Sequence, residues 1–287
     1  MALIVGSAGV ASSMSPVVEG ALYADDILQD GVTFTSKHQR NEAGQIQVVK
    51  YTGDQSIEPG TPGADFNDSE YANSVVDINC VNSFQKSQKV PAFYEATMPI
   101  GTLASESIEV TKAVMNGRQK SAIACLIQEG TASNTTTTVT KSNVKDLVLA
   151  ERAALRKKFA RPDVVLASVD VYNCMLQVAG TDYVPVLNDE IVRSGRVGTW
   201  MGMLWVETPY LGQDYTLKYK DGTSTHSKDT DNVEFIMYDH NALSIIDVLA
   251  MLRVKDSEMF AGSKVQEEID TGFKVTNSNC VIVKSHS

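Results

Sequence analysis

No two cysteines in this chain have metal-binding or redox spacing. Cys80, Cys125, Cys174 and Cys280 stand far apart, which excludes a zinc ribbon and a thioredoxin-type pair. Each has apolar neighbours, as in Ala124-Cys125-Leu126, and reduced thiols beside the core are expected. No apolar run reaches the roughly 18 residues of a membrane-spanning helix. The first residues, Met1-Ala2-Leu3-Ile4-Val5-Gly6, are apolar but lack the positive charge that opens a secretory signal. No Lys or Arg precedes Lys37, and the formal net charge is −10. Nonspecific phosphate binding needs clustered cations on a basic chain, so sequence-specific or nonspecific nucleic-acid grip is not expected.

The patterns of catalysis are thin as well. Gly195, Gly198 and Gly202 do not form the dinucleotide fingerprint, and no Gly-Lys-Ser/Thr comes after them. The next element reads as a strand with Trp205, so a bound anion would meet no helix dipole. His38, His226, His240 and His286 are scattered, and none has triad or metal spacing. Asp239-His240 reads as a turn. The acidic pairs Asp25-Asp26, Asp189-Glu190 and Glu267-Glu268 are adjacent residues, which on a strand point to opposite faces. No catalytic, cofactor-binding or metal-binding residue is assigned, no cofactor is expected, and the chain is not read as an enzyme.

The composition itself is that of an ordinary globular protein, 43% hydrophobic and 21% charged over 287 residues, enough to bury a core without covalent staples. Residues 1–16 carry Gly6, Gly9 and Pro16 and read as an extended arm. Val17, Ala21, Ala24 and Leu28 share the face of a short helix. Ile46 and Val48 alternate with Gln45 and Gln47, and Val76, Ile78 and Cys80 alternate with Asp77 and Asn79. These predict one strand up to Tyr51 and another over Val75–Phe84. The roughly 20 residues between them hold Gly53, Pro59, Gly60, Pro62 and Gly63; polar loops of that length in a domain are functional or interface-forming.

Pro99 and Thr102 open a long helix over about 100–129. Its acids come early (Glu106, Glu109) and its cations later (Lys112, Arg118, Lys120), as the macrodipole favours. Val110, Ala113, Val114, Ala124 and Ile127 mark its inner face. Gly117 in mid-helix costs about 1 kcal/mol relative to Ala and suggests a bend. The Thr-rich run 131–140 reads as loop or hairpin. Asn143 then caps a second helix lined by Val144, Leu147, Val148, Ala154 and Leu155. Its C-terminal cations Arg152, Arg156, Lys157 and Lys158 read as a solvated face. A strand over Asp163–Ala167 and a helix capped by Ser168 and ending at Gly180 complete a helix–strand–helix unit. A glycine-punctuated loop from Ser194 feeds a strand that ends at Glu207, and Val233–Tyr238 reads as another strand. From Asp247 strands with turns at Ala261-Gly262 and Thr271-Gly272 lead to a last strand ending at Lys284.

This order of parts resembles the Hong Kong 97-like major capsid proteins of tailed phages. The resemblance rests on four features: the helix–strand–helix of Asn143–Gly180 with its Ala167-Ser168-Val169-Asp170-Val171-Tyr172 helix start; the glycine turn and apolar strand Gly198–Glu207; Ala242, Arg253 and Gly272-Phe273; and the final apolar strand. It implies an α+β capsid fold with an N-terminal arm and short helix (1–35), an extended hairpin loop (36–95), a spine helix with peripheral strands (96–141), an axial domain (142–242) and returning peripheral strands (243–287). It implies a shell protein that self-assembles as hexamers and pentamers around double-stranded DNA. It further implies a separate scaffolding protein, a portal and decoration proteins as partners, no membrane, assembly in the host cytoplasm and residence in the virion. Val17, Leu28, Ile57, Phe66, Tyr71 and Gly117 are the candidate subunit-interface residues. Rival readings are an encapsulin-like compartment shell, a tail-tube or other virion protein, and an α/β hydrolase.

Overall fold

The computed structural model describes residues 27–37, 46–51, 73–92, 102–182, 199–256, 259 and 261–287. The expected extended stretch 1–16 and the long polar loop lie outside these residues, as does most of the expected short helix, whose last residue Leu28 is not helical. The two strands flanking that loop do form: β1 (Ile46–Tyr51) and β2 (Asn73–Ile78) pair antiparallel, with Ile46 opposite Ile78 and Tyr51 opposite Asn73. The single strand expected over 75–84 is two. The ladder breaks at 79–81, and β3 (Asn82–Pro91) leaves for another sheet.

The long helix α1 spans Thr102–Glu129. Its first half is one-sided, with Val110 and Val114 buried, and Val110 meets Val90 and Val265. Ala113 and Ile127, expected on the buried face, are only partly covered. From Ser121 to Leu126 every residue is buried, because strands enclose the helix there on several sides. Gly117 has a packing role: a Cβ at this position would lie 3.2 Å from Phe84 Cδ1 on β3.

The Thr-rich run contributes the two-residue β4 (Thr131–Ala132) and then an extended strap. Helix α2 (Val144–Lys157), strand β5 (Val164–Ala167) and helix α3 (Val169–Asp182) come next, as expected. Ser168 Oγ accepts the Val171 amide, as a cap should. Asn143 occupies the cap position of α2, but its side chain turns back and accepts the Thr140 amide at 2.7 Å. The chain continues through β6 (Thr199–Trp200), β7 (Met203–Glu207), β8 (Thr216–Asp221), β9 (Ser224–Asp229), β10 (Val233–Tyr238), β11 (Leu243–Asp256), β12 (Gly262–Val275) and β13 (Val281–Ser285).

One sheet has the order β4-β13-β10-β5-β7-β6. Its middle strands are apolar on both faces, as strands covered on both sides must be. Val164 and Leu166 of β5, Ile236 and Tyr238 of β10, and Val281 and Val283 of β13 join one core with Ala122–Leu126 of α1. The alternate residues Val165, Ala167, Phe235, Met237 and Ile282 join a second core with Val144, Val148 and Leu155 of α2 and Val171 and Met175 of α3. The period of two thus distributes each strand between two helical layers. The closing strand β13 sits between β10 and β4, so both sides of residue 242 contribute to this sheet.

A second sheet, β11-β12-β3, is antiparallel throughout. The turn expected at Thr271-Gly272 is absent. Both residues continue β12, and a Cβ on Gly272 would lie 2.7 Å from Cys80 Sγ and 3.0 Å from Ile78 Cγ2. Gly272 is there for close approach, which a strand glycine also signals. The turn expected at Ala261-Gly262 is where β12 begins, with Gly262 at φ +145°. Arg118 of α1 clamps this sheet: its Nε and Nη2 donate to Asp247 at 3.1 and 2.8 Å, and Asp247 also accepts Thr271 Oγ1 at 2.7 Å.

Candidate assembly surface

The β1–β2 hairpin carries the loop read as interface-forming, so its root matters most. Ile46 and Ile78 are buried at the base, while Val75 further along is half exposed. Beyond Ile78 the chain is fixed to the β8–β9 hairpin. Asn79 Nδ2 donates to Asp221 Oδ1 at 3.1 Å. Asn82 makes a reciprocal pair with Lys220, donating to its carbonyl at 2.9 Å and accepting its amide at 2.8 Å. The hairpin therefore stands on a rigid footing of β8 and β12.

Under that footing lies a charged cluster. Lys274 Nζ on β12 donates to Glu129 Oε1 at 2.8 Å and to Asp221 Oδ2 at 2.9 Å. Glu129 also accepts the Val275 amide at 2.8 Å and the Tyr219 hydroxyl at 3.2 Å. An acid as the last residue of a helix opposes the macrodipole; here the lysine and these donors offset that. Burial works against the Lys274 ammonium, but its bonds to Glu129 and Asp221 prevail and raise its pKa. Burial likewise works against the Asp221 carboxylate, and the bonds from Lys274 and Asn79 prevail and lower its pKa. Burial pushes the Tyr219 hydroxyl and the Cys125 thiol up. The cluster ties the helix end, β12, β8 and the hairpin root together. Sequence reading missed it because Glu129, Asp221 and Lys274 are separated by 92 and 53 positions.

Asp239-His240 is a turn, as expected: Asp239 accepts the Asn241 amide at 2.9 Å over a short 3-10 helix at His240–Ala242. The fold adds Asp163, whose Oδ1 accepts the His240 amide at 2.8 Å and whose Oδ2 contacts His240 Nδ1. Asp163, Asp239 and His240 lie close enough to share a cation. All three also hold the adjoining strand ends through backbone bonds. A cleft of about 340 Å³ lies on the outer face of the three-stranded sheet, where Gln85, Ser87, Arg253, Gln266 and Glu268 line it. These side chains bond to one another: Arg253 Nε donates to Gln266 at 2.9 Å, and Gln266 donates to Ser87 at 3.3 Å. It is a solvated cross-strand array.

Of the candidate interface residues, Leu28 is buried in the chain's own core and Gly117 faces Phe84 within the chain. Val17, Ile57, Phe66 and Tyr71 lie outside the described residues. No disulfide joins the four cysteines; Cys125 is buried and the others are partly covered. No helix among the described residues is long and apolar enough to cross a membrane.

Comparison with known proteins bears on the fold. No protein-family model matches the chain, and no curated protein matches it. Solved structures do. The capsid structure of cyanophage P-SCSP1u superposes with a TM-score of 0.67 at 13% identity, covering 96% of this chain and 92% of that one. A chain of the bacteriophage PhiM1 mature capsid gives 0.59 at 10% identity, covering 96% and 91%. The capsid of the native GTA particle gives 0.60 at 9% identity, covering 96% and 94%. The fold is that of a phage capsid chain. It is the α+β, Hong Kong 97-like capsid fold.

Proposed function

We propose that this chain is a major capsid protein that self-assembles into the icosahedral shell around the double-stranded DNA of a tailed phage. The observation that carries the reading is the extent of the likeness. Chains drawn from capsids match over 96% of this chain and over nine-tenths of their own length. The footing of the β1–β2 hairpin adds support, since a loop on a rigid base suits contact with a neighbouring subunit. The role is structural rather than enzymatic.

In this reading copies form hexamers and pentamers, with a separate scaffolding protein, a portal and decoration proteins as partners. Assembly takes place in the host cytoplasm and the product is the virion shell. The arm (1–35), hairpin loop (36–95), spine (96–141), axial domain (142–242) and return strands (243–287) are the working divisions. Val17, Ile57, Phe66 and Tyr71 belong to the parts that reach other subunits. Many modest contacts then sum by multivalency. A net charge of −10 keeps the lining from gripping DNA.

Negative-stain microscopy of the purified chain tests the proposal. Closed shells are expected; tubes, or monomers at every concentration, would overturn it. Deleting residues 56–70 should leave folded, soluble subunits that form no shells. Normal shells from that deletion would remove the hairpin from the assembly mechanism. Nucleic acid inside native particles separates a viral shell from a cargo-enzyme compartment.

A further inference from the structure

Phe159 is the most exposed large apolar side chain among the described residues, at 97%, and its backbone is left-handed, with φ +64°. It comes after α2, at the position where helices usually place glycine. The Phe159 amide donates to the Arg156 carbonyl at 3.0 Å and the Ala160 amide to the Leu155 carbonyl at 3.1 Å. Leu155 and Ala160 close the motif as buried members of one core. This is a Schellman ending. Its geometry favours Gly at Phe159, and a bulky residue there is an outlier that packing within the subunit does not explain. Solvent does not favour an aromatic ring either.

Four exposed cations flank Phe159 in the chain: Arg156, Lys157, Lys158 and Arg161. None makes an ion pair among the described residues. Residues 141–161 hold seven Lys and Arg against two Asp and Glu. The whole chain holds 25 against 35, so the remainder carries 18 against 33. One strongly basic tip thus stands on an acidic molecule.

The tip lies at the end of the six-stranded sheet where β5 begins. At the opposite end β5 finishes at Ala167, which pairs with Glu207 and Phe235. Glu207, Asp214, Asp229 and Asp231 lie there, all exposed and without an ion pair among the described residues. The Gly212 amide donates to the Thr230 carbonyl and the Thr208 amide to the Ala167 carbonyl, which holds these loops at that end. A short strand of four residues, roughly 13 Å, separates a basic aromatic tip from an acidic rim.

We infer that the Phe159 tip docks on the acidic rim of a second copy of this chain. The inference deepens the shell reading and rests on it. A contact between opposite ends of one domain is heterologous, and repetition closes it into a ring when the rotation permits. The ring of Phe159 supplies the apolar anchor, and Arg156, Lys157, Lys158 and Arg161 supply steering and register. A second copy fits better than nucleic acid. The acidic remainder of the chain repels phosphate, and the complementary rim is on the same sheet.

The test measures the subunit–subunit association constant of the full chain by sedimentation velocity, at low and high salt. F159G should melt no lower than wild type, since glycine suits the left-handed turn, yet associate at least about tenfold more weakly. The triple variant R156E/K157E/K158E should not associate. Adding D214K, D229K and D231K to that chain should restore association by swapping both charges. Wild-type association should weaken with salt. Three results would overturn the inference: F159G associating like wild type, a charge-swapped chain no better than the triple variant, or F159G shells that form normally but lose nucleic acid. The last would assign the tip to nucleic acid. Wild-type shells alongside any of these would leave the shell reading intact. An absence of wild-type shells would count against that reading, while the association constant would still report on this contact.

Discussion

Replacing Gly272 with Ala tests the junction between the hairpin root and the central strand of the three-stranded sheet. The added Cβ would stand 2.7 Å from Cys80 Sγ, 3.0 Å from Ile78 Cγ2 and 3.1 Å from the Asn79 carbonyl oxygen. Thr271 and Phe273 on either side are fully buried, and Phe273 packs edge-on to Phe84 at 6.1 Å. The backbone of β12 is therefore poorly placed to retreat. Overpacking of this kind costs about 1–3 kcal/mol. Alanine in a strand interior regains roughly 0.5–1 kcal/mol over glycine. A net destabilisation of about 1–2 kcal/mol is expected, read as a lower urea midpoint with unchanged slope in dilute protein. Cys80→Ala removes the closest atom but leaves Ile78 and Asn79. In that background Gly272→Ala should cost about 1 kcal/mol less, a coupling a double-mutant cycle resolves. Strict additivity, or a neutral Gly272→Ala, would refute the close-approach account.

The charged cluster yields two further expectations. Glu129→Gln keeps the shape but loses the charge that faces Lys274, and should lower subunit stability by about 1–2 kcal/mol in urea unfolding; an unchanged midpoint would show that the donors around Glu129 suffice without its charge. The Asp221 carboxyl is held below its ordinary range, so its contribution is present above that range and lost as pH falls through the folded value. The Lys274 ammonium is held above its ordinary range, so its contribution is present below that range and lost as pH rises through the folded value. Both side chains keep some solvent contact, so each limb should be shallow. Lys274→Met should flatten both limbs of the stability-versus-pH curve, and parallel curves for variant and wild type would place the pH dependence elsewhere.

Much of this fold was legible in the sequence because much of it is local. The helices of 102–129, 144–157 and 169–182 announce themselves by spacing and capping, and β5 and β10 by short apolar runs. These signals act within a few residues, where propensity and burial period agree. The order of the parts was enough to point to a capsid fold.

Partners across long separations were decided by the tertiary structure. The alternation over 75–84 is genuine, but only the competing edge of β12 splits it into β2 and β3. Gly272 looked like a turn because a glycine reports small size without saying whether a bend or a neighbour requires it. Asp163 joined His240, and Lys274 joined Glu129 and Asp221, through strand register that no short window contains. Phe159 lies in a stretch that reads as an ordinary basic helix end; only the left-handed backbone and the exposed ring set it apart. A linear pattern specifies which face of an element is apolar. Which element covers that face, and which side chains then remain uncovered, is set by long-range pairing and packing.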